Sequence, residues 1–170
     1  METLPAIHER PALLGFLPRR LFRPEQPLPY IGLAWLLAVI PSLALSALAS
    51  QLLPQQGPEF PPVAPGVLFF LLVVFAPVVE TLIMGGVLLL LNRLFGFLPA
   101  ILLSSLGWGV AHSLQAPAWG LVIWWPFLIF STCFLVWKQR GLGWAFLIPM
   151  LVHGLQNAGP ALLMLSGVDV

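Results

Sequence analysis

Charge is what this chain has least of. Seven Lys and Arg and six Asp and Glu make up 8% of its 170 residues, while 59% are hydrophobic and the mean hydropathy is +0.99. A soluble domain carries about 25% charged residues, so water cannot be the solvent for most of this surface; lipid must be. Cysteine is nearly absent too. The single Cys133 excludes an intrachain disulfide framework and a cysteine-based metal site, and in its apolar stretch it reads as a packing residue. The signatures of several hydrolase classes are missing as well. No His-Glu-x-x-His helix occurs, and neither Ser104 nor Ser105 sits in a nucleophile-elbow sequence. There is no internal repeat or low-complexity tract, and no nucleic-acid partner is expected.

What the chain does have is five apolar runs, at approximately 30–53, 63–92, 97–115, 117–137 and 143–166. Each is near or above the roughly 20 residues that span hydrocarbon. The expectation is an all-α polytopic membrane bundle of about five transmembrane helices, filling residues 30–170. The cations then fall into a pattern. Arg10, Arg19, Arg20 and Arg23 precede the first run, Arg93 separates the second from the third, and Lys138 and Arg140 separate the fourth from the fifth. Five crossings put all seven on one side, so the positive-inside rule places the N-terminus in the cytoplasm. Residues 1–29 are then a basic cytoplasmic lead, long for the n-region of a signal peptide, although Ala47-Leu48-Ala49 has the small-x-small form of a cleavage site. Its PALLGFLPRRLFR stretch, 11–23, either lies along the membrane face or is a loose tail that fixes orientation. Trp119, Trp137 and Trp144, near run ends, fit an aromatic belt.

Ionisable groups inside a membrane are rare and costly. This chain has three, Glu80, His112 and His153, and Asn157 shares a helix face with His153 four residues earlier. Counted from the cytoplasmic end of each run at about 1.5 Å per residue, they lie about 18, 22, 15 and 21 Å deep, each to about 5 Å. Three separate helices thus place four polar groups at one level near the midplane. The plainest role for them is interhelical glue. A second is hydrolysis: Glu80 and an imidazole hold a water that attacks a carbonyl, while the other His and the Asn amide donate to the oxyanion. A third is zinc ligation by Glu80, His112 and His153. A fourth, with His112 and His153 as haem ligands, leaves Glu80 and Asn157 without a role.

The residues resemble the CAAX-protease and bacteriocin-processing (CPBP, or Abi) family of intramembrane proteases, which includes the Ras-converting endopeptidases. APVVETLIMGGVLL matches its Glu-Glu-x-x-x-Arg motif with Glu80 as the first glutamate. WGVAH matches the aromatic-x-x-x-His motif through Trp108 and His112, and HGLQN matches the His-x-x-x-Asn motif through His153 and Asn157. The resemblance covers roughly residues 66–160. It implies a glutamate-type endopeptidase, often described as a metalloprotease, in which Glu80 and His112 activate water and His153 and Asn157 form the oxyanion hole. No cofactor is expected, with zinc left open. A peptide or membrane-protein substrate is implied, as is a multi-pass place in a bilayer, the prokaryotic inner membrane being the expectation. The alternative is an inactive protease-like scaffold or immunity protein, because Thr81 stands at the second glutamate and Gly85 at the arginine. Losing both together is physically coherent: removing one partner strands a buried charge, at about 3–5 kcal/mol, whereas removing both need not.

Overall fold

The computed structural model describes residues 10–53, 60 and 62–166, and among them it contains helices and no strand. Five helices run α1 Pro27–Leu52, α2 Pro65–Phe95, α3 Phe97–Ser113, α4 Pro117–Trp137 and α5 Leu142–Leu165. Proline opens α1, α2 and α4 in the first turn, where its missing N–H costs nothing. Glycine makes the two turns at the Arg- and Lys-bearing end. Gly96 (φ 83°, ψ −178°) joins α2 to α3 and Gly141 (φ 114°, ψ 160°) leads into α5, both in backbone territory open essentially to glycine alone.

This is the polytopic helical bundle expected, with one refinement. Four helices have the length and hydropathy of a membrane span; α3, at 17 residues, does not. It is about 25 Å long against a hydrocarbon layer of about 30 Å. It therefore stops short of the far surface and carries His112 in its last turn.

The bundle is built around α4. Within the membrane-length window of α4, 67% of residues are buried, against 17–28% in α1, α2 and α5. Every residue from Pro126 to Trp137 is buried, as an all-round apolar helix requires. Polar pegs fix its neighbours: Ser131 donates to Ser104 of α3 at 3.1 Å, and the Trp125 indole donates to the Leu37 carbonyl of α1 at 2.8 Å. Ser104 is thus a packing group, not a nucleophile in waiting. Cys133 is buried in the same core. The outer faces of the other helices present Leu36, Ile40 and Leu43, Leu82, Ile83 and Leu90, and Leu103, Leu106 and Val110, all exposed and suited to acyl chains.

Of the two readings of the lead, the described part, residues 10–26, excludes a loose tail, and one aromatic assignment at the basic end needs correction. Short 3-10 turns at Ala12–Leu14 and Arg19–Phe22 sink Leu14, Leu17, Leu21 and Phe22 into the main hydrophobic cluster. Tyr30 donates to the Leu21 carbonyl at 2.8 Å, and Arg140 donates to the Glu25 carbonyl at 2.9 Å while lying over the rings of Trp137 and Trp144. Four apolar side chains in this short stretch had a core to reach; the arginines between them face outward. Trp137 is likewise not a belt residue. It is fully buried, edge-on to Tyr30 at 5.1 Å, because the lead covers the end of α4. A Gly141→Ala substitution is expected to cost about 1–3 kcal/mol, the strain of a non-glycine residue in that conformation. Thermal unfolding in detergent would read the loss, and an unchanged midpoint would contradict the assigned turn.

Candidate active site

The site begins with a proline. In a regular α-helix the ring of Pro77 would press on the carbonyl four residues back, Val73, and give it no hydrogen. The chain answers with a π turn over Leu71–Phe75, in which the Ala76 N–H donates to the Leu71 carbonyl five residues back. In that register the next carbonyl, Leu72, would pair with Pro77, which has no N–H. The Asn157 amide nitrogen of α5 donates to it instead, at 2.9 Å. One turn earlier on α5, Gly154 leaves room for the backbone of the same turn: a Cβ there would lie 2.9 Å from the Val73 oxygen. Sequence thus dictates a local defect in α2, and the defect is where α5 docks.

That docking sets Glu80 opposite His153. The carboxylate Oε2 lies 3.9 Å from His153 Nε2, with side-chain exposures of 25% and 6%. The difference matters: the acid reaches accessible space while the imidazole is held in protein. Phe130 stacks on the His153 ring at 4.7 Å and Phe127 meets it edge-on at 5.5 Å.

His112 comes from the end of α3. Its Nδ1 lies 2.8 Å from the Trp108 carbonyl, one helical turn back. A carbonyl only accepts, so the neutral ring carries its proton on Nδ1 and offers a lone pair at Nε2. Trp119 packs edge-on at 4.8 Å, and Trp108 and Phe127 flank the ring at 5.7 and 5.8 Å. Trp119 therefore seats a site residue rather than marking a membrane boundary.

The common level expected of the four groups corresponds to an actual register. Glu80, His112 and Asn157 each stand fifteen residues from the basic end of their helices, about 22 Å, and His153 lies one turn closer, about 16 Å. Glu80 and His153 meet directly. Asn157 is anchored beside them through Leu72. His112 joins through the shared Phe127 ring, and among the described residues it forms no ion pair with Glu80. Among the described residues no three His, Cys, Asp or Glu side chains are gathered as a ligand shell, so the conditional zinc trio of Glu80, His112 and His153 is not closed in this geometry.

The two departures in the first motif also find an account. Phe146 of α5 and Phe134 of α4, in edge contact at 5.0 Å, occupy the space beside Gly85, where any Cβ would overlap both rings. Thr81 is buried with its hydroxyl unpartnered. An arginine at 85 has no room, and a glutamate at 81 would have no base to pair with. Aromatic packing fills the place where the resembled motif has an arginine. Gly109 of α3 meets Trp124 of α4, whereas Gly86 and Gly107 face open space.

With this geometry in place, comparison with known proteins decides the family. The family described as Type II CAAX prenyl endopeptidase Rce1-like matches residues 62–159, more than half of the chain. The chain belongs to that family. The Rce1-like stretch runs from just before α2 to just past Asn157, and so contains Glu80, His112, His153 and Asn157, while α1 and the lead lie outside it. No curated protein and no solved structure matches the chain. An Rce1-like chain with four membrane-length apolar helices is an integral membrane protein of a protease family.

Sequence reasoning missed Phe127, Phe130 and the Leu72 carbonyl. The last had a signal: Pro77 five residues after Leu72, and an Asn on a later helix with a hydrogen to give. Gly85→Ala, whose Cβ would overlap both rings, is expected to cost about 1–3 kcal/mol through overpacking. Pairing it with Phe146→Ala should recover part of that loss in thermal unfolding; purely additive losses would show that Phe146 is not what fills the space.

Proposed function

We propose that this Rce1-like protein is an intramembrane endopeptidase whose Glu80 is the general base. The observation that carries the reading is the approach of Glu80 to His153 across the α2–α5 contact, one turn beyond the π segment. Glu80 Oε2 accepts a proton from a water as the water oxygen attacks the scissile carbonyl carbon. His112, with its lone pair at Nε2, holds the water from the second side. The carbonyl oxygen becomes an oxyanion, and His153 and Asn157 donate to it. The Asn157 amide has two hydrogens; Leu72 takes one, and the second serves the oxyanion. When the tetrahedral carbon collapses, the C–N bond breaks and the leaving nitrogen receives the proton from Glu80. No covalent enzyme intermediate and no metal is needed in this sequence of steps.

The substrate class is a peptide or membrane protein presented at the cytoplasmic leaflet or midplane of a prokaryotic inner membrane, with the N-terminus of the protease on the cytoplasmic side. The family name refers to prenylated CAAX tails; the reading for this chain rests on the peptide bond alone. A second reading, an inactive scaffold or immunity protein, draws on Thr81 and on the aromatic filling at Gly85. Cleavage of a membrane-peptide library separates the two. The wild type should cut, Glu80→Gln should lose about 10²–10⁴-fold in rate with an unchanged unfolding midpoint, and a zinc chelator should leave the wild-type rate intact. Equal cutting by both proteins would remove Glu80 as base, a chelator-sensitive rate would restore the metal, and no cutting by either would favour the scaffold.

A further inference from the structure

At the level of the candidate active site α2 and α3 separate. From the Gly96 turn they run side by side as far as one peg: Ser131 of α4, which donates to Ser104 of α3, also lies 3.7 Å from the Met84 Sδ of α2. Beyond it α2 leans on α5, through the π segment and the Asn157 bond. Over Pro65–Phe75 no Cα of α3 or α4 comes within 8 Å. Among the described residues α1 packs against α4 and α5 and not against α2 or α3, so it does not cover the space left between them.

The walls of this gap carry little side chain. On α3, Gly107 and Ala111 continue the row begun by Ser104, three and seven residues on along one helix face. Both are exposed, and a Cβ at Gly107 would meet nothing within 4 Å. On α2 the flank opposite Gly85, which abuts Phe146 of α5, holds Ile83, Glu80 and the partly buried Ala76. Ile83 is 53% exposed. Because α5 covers the other flank, the accessible quarter of the Glu80 side chain opens to this gap. The gap in turn opens to the lipid that bathes Leu82, Leu106 and Val110.

We propose, resting on the endopeptidase reading above, that a membrane-spanning substrate enters sideways from lipid between α2 and α3. It lies there unwound, with a large apolar side chain next to the cut against Gly107 and Ala111. The chemistry selects this occupant. A helix with its side chains is about 10–12 Å across, and its carbonyls are already hydrogen-bonded. An extended segment is narrower, presents its scissile carbonyl unpaired to Glu80, and sends side chains alternately to the two walls. A wall of glycine and alanine leaves room for bulk there, and a polar side chain against it would go without a partner.

The first test reads cleavage of membrane peptides that differ only in the residue next to the cut, Phe or Leu against Ala. Wild type should prefer the larger residues. Gly107→Leu should lower kcat/KM for the Phe and Leu peptides about tenfold or more and change that for the Ala peptide little. Its unfolding midpoint should hold, since the space at 107 is open. Gly86→Leu, equally unobstructed but on the outward face of α2, is the control and should cut as wild type does. The second test needs no turnover. Glu80→Gln protein is irradiated with a leucine–alanine membrane peptide carrying one diazirine-bearing leucine, and the crosslinks are mapped by mass spectrometry. Crosslinks on Ile83, Gly107 and Ala111 are expected. Wild-type cutting that Gly107→Leu leaves unchanged for every peptide, or crosslinks confined to the outward faces, would overturn the gap and leave the endopeptidase standing. Crosslinks in the gap with no cutting by any protein would support the seat and overturn the catalysis.

Discussion

A missing hydrogen organises this membrane fold. Pro77 can donate nothing to the carbonyls behind it, and in the hydrocarbon layer no water stands ready to compensate. The π turn at Leu71–Phe75 and the Asn157 amide resolve that deficit together. Their bond determines where α5 sits against α2, and hence that Glu80 and His153 face one another. Interhelical contacts in lipid lack the hydrophobic drive that joins helices in water and rely on packing and hydrogen bonds. A bond filling a backbone vacancy is well matched to that setting, since the alternative is an unpaired carbonyl in oil.

The remainder of the bundle supports this contact. Because α4 is buried nearly throughout its second half, it works as a central post, and its Phe127 and Phe130 rings set the two imidazoles. The shortness of α3 brings His112 to the site at a helix end, where the Trp108 carbonyl settles its tautomer. At the other end, the packed lead and the Arg140 sandwich close the bundle below α4. The Phe146–Phe134 pair fills the space at Gly85, one turn beyond Glu80, with aromatic packing.

Much of this was legible in the residues. Helix limits could be read to within a few positions because Pro27, Pro65 and Pro117 open helices and Gly96 and Gly141 make turns. The shared depth of Glu80, His112 and Asn157 followed from counting, since a helix rises uniformly. Other features depend on which face meets which neighbour, and spacing is silent on that. Trp137 and Trp119 stand near helix ends, as belt residues do, yet the lead covers one and His112 holds the other. The outward charges of the lead were visible; the burial of Leu14, Leu17, Leu21 and Phe22 depends on a groove formed by distant helices.

The most direct test of the central contact is a double-mutant cycle on unfolding free energy with Pro77→Ala and Asn157→Ala. Restoring an N–H at position 77 gives the vacant carbonyl an internal partner. Loss of Asn157 should then cost about 1 kcal/mol or more in the wild-type background and little in the Pro77→Ala background. Strict additivity, with Asn157→Ala equally costly in both, would mean that the amide does not serve the vacancy left by the proline, and the proposed link from that defect to the Glu80–His153 pair would be wrong.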